Sequence, residues 1–251
     1  MKTRPRIIDC HAHLGQYRHF PIPLREPERM IAAMDRAGVE AACLSSLTAL
    51  GADTRLGNTQ LIEAAAAFPA RLLGWAVPNP HRPAEIAAEL ERCFRSPWMR
   101  GIKLHPMFHA YPAEGANYTP VYEFAQARGL PILNHDWGAA GFMEKLARRY
   151  PQARFIQAHT GGWWNGRSEE PYLELARSQP NVYLDTAASI AYYGAFEKLV
   201  EAVGADKLLF GSDFPYLDLG YQLGRVLLSS IGEREKRKIL GGNAAALFGL
   251  G

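Results

Sequence analysis

His11 and His13 stand two apart behind the apolar run Arg6 to Cys10 (RIIDC), and an extended chain of side-chain period two turns both imidazoles to one face. Three further residues of ligand type close apolar runs in the same manner: His135 ends LPILNH, His159 ends ARFIQAH and Asp213 ends KLLFGSD. Neutral imidazoles and a carboxylate are donors that Zn²⁺ or a similar first-row divalent ion accepts, and such an ion makes water a nucleophile near neutral pH. The H-x-H pair alone would not carry this reading. One residue class repeated at the ends of separate apolar runs does carry it, provided the fold gathers those ends in one place.

The rest of the chain supplies such a fold. Eight short apolar or β-branched runs read as strands: Arg6 to Cys10, Val39 to Ser45, Leu72 to Val77, Gly101 to Leu104, Pro131 to Asn134, Arg154 to Ala158, Val182 to Asp185 and Lys207 to Phe210. Between them, segments such as Pro27 to Ala37, Asn58 to Phe68, Pro83 to Phe94, Pro120 to Arg128, Phe142 to Tyr150 and Ala195 to Val203 carry apolar residues at helical spacing. Gly38, Gly129 and Gly204 follow three of these helices, and Pro27, Pro83 and Pro120 open three first turns. The alternation is that of repeated βα units around a parallel sheet. No glycine-rich phosphate motif follows any strand, so a closed (β/α)8 (TIM) barrel is expected rather than an open nucleotide-binding sheet. In such a barrel every strand delivers its C-terminal end to one mouth. The segment Glu233 to Leu247 is expected to add a C-terminal helical extension, and no linker divides residues 1–251, which read as one domain.

Composition narrows the function classes. At 48% hydrophobic and 21% charged residues the chain is ordinary for a globular domain, and it has no apolar run of the roughly 18 to 20 residues that a membrane span requires. Lys plus Arg exceed Asp plus Glu by only 28 to 25, and the charges are dispersed, which argues against a nucleic-acid partner. Cys10, Cys43 and Cys93 show no C-x-x-C spacing and the N-terminus has no apolar signal core, so a reduced, cytoplasmic protein is expected. A small molecule is the expected partner, with no membrane; homo-oligomers, a dimer first, are compatible with the sequence.

The ordered series IIDCHAH, GIKLHP, NHDWG, QAHTGG, NVYLDTA, FGSDFP and GGNAAALFGL resembles the amidohydrolase superfamily, in particular its amidohydrolase-related branch of metal-dependent hydrolases and decarboxylases. The resemblance spans nearly the whole chain. It implies a (β/α)8 barrel in which one divalent ion, Zn²⁺ first and Mn²⁺ or another first-row ion next, is held by His11, His13, His135 and Asp213. It further implies that His159 activates water or polarises substrate, with Asp213 carrying the proton. At the fourth strand, binuclear relatives place a carboxylated lysine; Lys103 and His105 share a face by period two, so geometry does not choose between them.

Lys103 is read as a lysine that pairs with substrate or with Asp9, and His105 as a substrate contact or a structural residue. Trp163, Trp164 and Arg167, just behind His159, would offer two aromatic faces and a guanidinium to a planar or carboxylated substrate, with Trp163 and Arg167 taken as contacts. Asp9 and Asp185 are each suited to orient a ligating imidazole. Cys10 alternates with the histidines and is expected behind the barrel wall. His19 and His81 read as solvated loop residues, and His109 lies between that reading and a role at the mouth. The expected reaction is metal-assisted hydrolysis of an ester, lactone or amide. The alternatives are non-oxidative decarboxylation of an aromatic or unsaturated acid, and a non-catalytic metabolite-binding barrel.

Overall fold

The computed structural model describes residues 5–16, 21–51, 53–162, 168–188 and 192–251. Eight strands stand side by side in sequence order, β1 (Ile8–Leu14), β2 (Ala41–Ser46), β3 (Leu72–Ala76), β4 (Met99–Leu104), β5 (Pro131–Asn134), β6 (Arg154–Gln157), β7 (Val182–Asp185) and β8 (Leu208–Leu209). All neighbouring pairs are parallel. The ring closes where β1 meets the chain leaving β8: Cys10 N donates to Phe210 O at 2.8 Å, Asp213 N to His11 O at 2.8 Å and His13 N to Phe214 O at 2.7 Å. This is the expected (β/α)8 barrel.

Helices between the strands cover its outside, among them Pro27–Ala37, Thr54–Ala67, Pro83–Cys93, Thr119–Arg128, Ala140–Arg149 and Ala195–Val203. Gly38 and Gly129 end their helices in the left-handed conformation, as their positions in the sequence suggest. Two segments that the sequence reading did not single out are also helical, the crossover Glu170–Ser178 and, after β8, Leu219–Leu227. Their apolar residues, Tyr172, Leu173, Leu175 and Ala176 in one and Leu219, Leu223 and Val226 in the other, are buried on one side.

Two apolar layers hold the ring. Outside it, strand residues such as Ala12, Leu44, Ile102, Ile132, Phe155 and Leu184 pack against the helices. Inside it, Ile8, Cys10, Cys43, Leu73, Trp75, Leu133, Ile156 and Leu209 fill the lower half and meet Ala244, Ala245 and Phe248 of the helix Asn243–Phe248. The expected C-terminal extension therefore plugs the barrel floor, with the Phe248 ring 5.4 Å from that of Trp75. Rather than one span it is three pieces, Glu233–Arg237, a π-helical turn Lys238–Gly242 and Asn243–Phe248. The turn carries Gly241 against the chain entering β1, where a Cβ would lie 2.4 Å from the Arg6 carbonyl oxygen.

Two expectations for β1 are corrected. Its strand runs on to Leu14, so His11 and His13 lie within it, because the chain after β8 and β2 together give the backbone there partners on both sides. The register against β2 also shifts between Asp9 and Ala12. That irregularity resets the alternation. Ile8 and Cys10 belong to the inner layer while Ala12 and Leu14 belong to the outer one, so Cys10 sits inside the barrel beneath the histidines and not behind the wall.

Candidate metal centre

The mouth of the barrel is polar and buried, a combination that must be satisfied internally. His11 Nδ1 lies 3.0 Å from Asp185 Oδ2 at the end of β7. A carboxylate only accepts, so the proton is on Nδ1 and the lone pair on Nε2. Of the two carboxylates suited to orient an imidazole, Asp185 does so. Asp9 instead accepts from the backbone N of His11 and Ser212 at 3.0 Å each and from the Ser212 hydroxyl, which ties β1 to the G-S-D segment. Burial pushes the Asp9 carboxyl up to about 7.

His13 Nε2 is 2.9 Å from Asp213 Oδ1, and its Nδ1 is 2.9 Å from the Ser45 hydroxyl at the end of β2. Burial pushes the His11 imidazole down to about 4, with the Lys103 charge adding to the effect, and lowers His13 as well. Burial opposes the Asp213 anion too, but the neighbouring His11 and the hydrogen bond from His13 hold its carboxyl well below the usual range. His11, His13 and Asp213 thus present ligand atoms within 4.8 Å of one another, with neutral imidazoles and an ionised carboxylate. For His11 and Asp213 this is the protonation state a divalent ion requires of its ligands; His13 Nε2, which donates to Asp213, would give up that proton to an ion.

The backbone is bent to bring these groups in. Asp213 has φ +62° and His159 φ +59°, a left-handed conformation costly for residues with a Cβ and concentrated at functional positions. Gly211 lets the strands approach, since a Cβ there would lie 2.8 Å from that of His11.

His135 and His159 form the other side of the mouth, His159 Nε2 lying 3.1 Å from His135 Nδ1. Among the described residues two groups of three present ligand atoms this close, His11, His13 and Asp213, and His11, His159 and Asp185; His135 belongs to neither and meets the second through His159, whose ring centre is 5.2 Å from that of His11. His105 lies flat on His135 at 3.9 Å, and Phe108 lies flat on His105 at 4.0 Å, giving a column of three parallel rings.

Lys103 is fully buried, and its Nζ lies 2.7 Å from His11 Nε2 rather than on Asp9. Period two points it inward as expected, but one level below His105, among the groups that hold His11. Burial lowers its ammonium to about 8 against the opposing charges of Asp185 and Asp213. Trp163, Trp164, Arg167 and His19 lie outside the described residues. His81 is exposed and donates to the His109 carbonyl at 2.6 Å, and His109 is buried against the Tyr118 hydroxyl at 2.8 Å.

Sequence reasoning missed Ser45, Phe108, Ser212 and Tyr216, whose ring stands edge-on to His13 at 4.9 Å. Ser45 closes the second apolar run and was open to the rule that found the histidines. Phe108, in the one-turn helix Pro106–His109, and Tyr216, in a turn, gave no such signal.

The match with known proteins agrees with this geometry: the amidohydrolase family model covers residues 8–250. The chain belongs to that family. Gamma-resorcylate decarboxylase of Polaromonas sp. (strain JS666 / ATCC BAA-500) is 24% identical over 89% of this chain and 87% of its own length. The crystal structure of 5-carboxyvanillate decarboxylase from Sphingomonas paucimobilis aligns with a TM-score of 0.79 at 17% identity, covering 99% of this chain and 100% of that one. A dihydroxybenzoic acid decarboxylase from Polaromonas sp. JS666, solved with bound manganese and the inhibitor 2-nitroresorcinol, aligns with a TM-score of 0.79 at 20% identity over 98% of both chains. At such identities the structural likeness speaks for the barrel.

Proposed function

We propose that this family member is a non-oxidative, metal-dependent decarboxylase of a small aromatic carboxylic acid. The observation that carries the reading is the planar column Phe108–His105–His135 ending beside the His11, His13 and Asp213 donor group. A flat ring could extend this stack at an end of the column, next to the charged donor group. Around it, Ile22, Leu47, Leu50 and Val77, with Phe108 and Tyr216 packed on them, make an apolar wall from chain that leaves several strands. The named reactions of the relatives, decarboxylations of gamma-resorcylate and carboxyvanillate, support decarboxylation over the hydrolysis that the sequence alone put first.

In this reading His11, His13, Asp213 and His135 hold one divalent ion. The bound manganese of one relative favours Mn²⁺ over the expected Zn²⁺. The ion would supply a positive charge that binds and orients the acid. Lys103 competes with it, because its ammonium uses the same Nε2 lone pair of His11. Asp213 is the carboxylate placed to carry a proton, its side chain being 17% exposed while that of Asp185 is 0% exposed. The ring carbon gains a proton, its bond to the carboxyl group breaks with the electron pair left on the ring, and CO2 departs. A panel of hydroxybenzoates and of esters and lactones, assayed with Mn²⁺-loaded protein, tests this. CO2 release from an aromatic acid is the expected result; ester or lactone cleavage without CO2 would return the assignment to hydrolysis.

A further inference from the structure

We propose that the surface formed by Tyr192, Tyr193, Tyr221, Leu227 and Leu228 is the contact face of a two-fold symmetric dimer of this chain. Among the described residues seven large apolar side chains stand exposed, and these five gather where the turn before the helix Ala195–Val203 meets the helix Leu219–Leu227. Tyr193 is 99% exposed, and Tyr221 at 57% and Tyr192 at 42% together add a second whole residue. Two whole tyrosines present on the order of 400 Å². With Leu227 and the largely exposed Leu228 added, the patch exceeds half of the ~800 Å² that each partner gives to a standard interface. Contiguous apolar surface of this extent marks a contact site on a folded protein.

The helix Leu219–Leu227 carries the same message in its spacing. Leu219, Gln222, Leu223 and Val226 are buried against the barrel, so the stripe Tyr221, Gly224, Leu228 lies where a solvated helix would carry polar residues. Glycine weakens a helix interior relative to alanine, yet a Cβ at Gly224 would meet nothing within 4 Å. This chain has no use for the missing methyl group; a second molecule lying close against the helix does. Gly224 lines a groove of about 490 Å³ together with Phe196, Tyr221 and Leu228, and Tyr193 stands beside it. A projecting ring next to a groove is self-complementary: a two-fold axis seats each Tyr193 in the groove of the other copy and closes the contact at two copies.

Charge points to the same occupant. Glu197 accepts from Ser230 N, and Arg225 donates to the Thr186 carbonyl at 3.2 Å with its guanidinium 5.3 Å over the Phe196 ring, so the charged groups of the groove are engaged within their own chain. The Lys198 ammonium lies over the Tyr192 ring at 4.9 Å. What faces outward is phenolic and aliphatic, the composition of an interface core. An acidic or basic partner would find no counter-charge there, whereas a second copy brings the same neutral surface.

Sedimentation velocity of the full chain, run as a concentration series, reads the assembly, and two variants locate it. The wild type is expected at twice the chain mass. Gly224→Arg places a long cation in the groove, where the chain leaves open space, and the double variant Tyr193→Ser, Leu228→Ser strips the exposed surface without touching the core. Loss of a central aromatic anchor weakens an interface on the order of 30-fold, so both variants should be monomeric at concentrations where the wild type is dimeric, with unchanged circular dichroism. If Gly224→Arg disturbs the helix, the double variant still decides. A wild type that stays monomeric throughout, a dimer that both variants leave intact, or growth beyond two copies would overturn the proposal. So would a monomeric wild type that binds phosphatidylglycerol vesicles through this patch, which would give the face to a lipid surface.

Discussion

The two ends of the barrel are built from the same strands and solve opposite problems. At the floor, Ile8, Cys10, Leu73, Trp75 and Leu133 interlock with Phe248 of the C-terminal helix in an apolar layer. At the mouth, toward the C-terminal ends of the strands, His11, His13, Lys103, His105, His135, Asp185 and Asp213 are packed with little solvent access. The floor gains stability mainly from apolar contact area. Groups at the mouth have shifted protonation equilibria and strained backbone, costs that a fold tolerates where chemistry or binding needs them. The comparison teaches that stability and function can be separated along the barrel axis, so substitutions at the two ends should fail in different assays.

The largest effect is expected at the mouth. Asp213→Asn should lower turnover by about 10²–10⁴-fold, measured as CO2 release, with the unfolding midpoint close to that of the wild type. At the floor the pattern should invert. Trp75→Ala removes a fully buried ring and its hydrogen bond to the Cys10 carbonyl, and should cost about 3–5 kcal/mol in denaturant unfolding, while Mn²⁺ affinity of the folded fraction stays near the wild-type value. An equal loss in both assays from either substitution would break the separation.

A smaller effect separates the role of the lysine at the mouth from that of the proposed metal ion. Lys103→Met removes the ammonium from His11 Nε2, and Mn²⁺ affinity, read by calorimetry, should rise. A fall would show that the lysine side chain itself takes part in holding the ion. The smallest effect is a pH slope. Asp9 is raised to about 7 in the folded protein from the ordinary 3.8, so between those values the folded state holds more protons than the unfolded state. Its contribution to stability is therefore present at low pH and lost as pH rises toward 7. The stability difference between wild type and Asp9→Asn, followed from pH 4 to 8, should drift in that direction; a flat difference would place the Asp9 carboxyl in an ordinary environment.

Much of this architecture is legible in the sequence because buried parallel strands read as uninterrupted apolar runs. All eight runs correspond to strands, and those from Leu72, Pro131, Arg154 and Val182 begin at the residue expected. The site was legible for the same reason, since ligand-type residues interrupt those runs at their C-terminal ends. What escaped was set by geometry off the strands or by departures from period two. The irregularity between Asp9 and Ala12 moved Cys10 inward, and nothing in RIIDCHAH announces it. Period two gave the inward face of Lys103, but its contact with His11 depends on depth in the barrel, which pattern does not encode. The choice of Asp185 over Asp9 as partner of His11 depends on a contact 174 residues away.

The central claim is that the mouth holds one divalent ion on His11, His13, His135 and Asp213 while the floor holds the fold. Elemental analysis of purified wild type beside the double variant His11→Ala, His135→Ala, with unfolding midpoints measured on both, tests it most directly. The account predicts close to one equivalent of metal per chain in the wild type, its loss in the variant, and a barrel that remains folded in both. A folded wild type that carries no metal and takes up none from added Mn²⁺ or Zn²⁺ would contradict it.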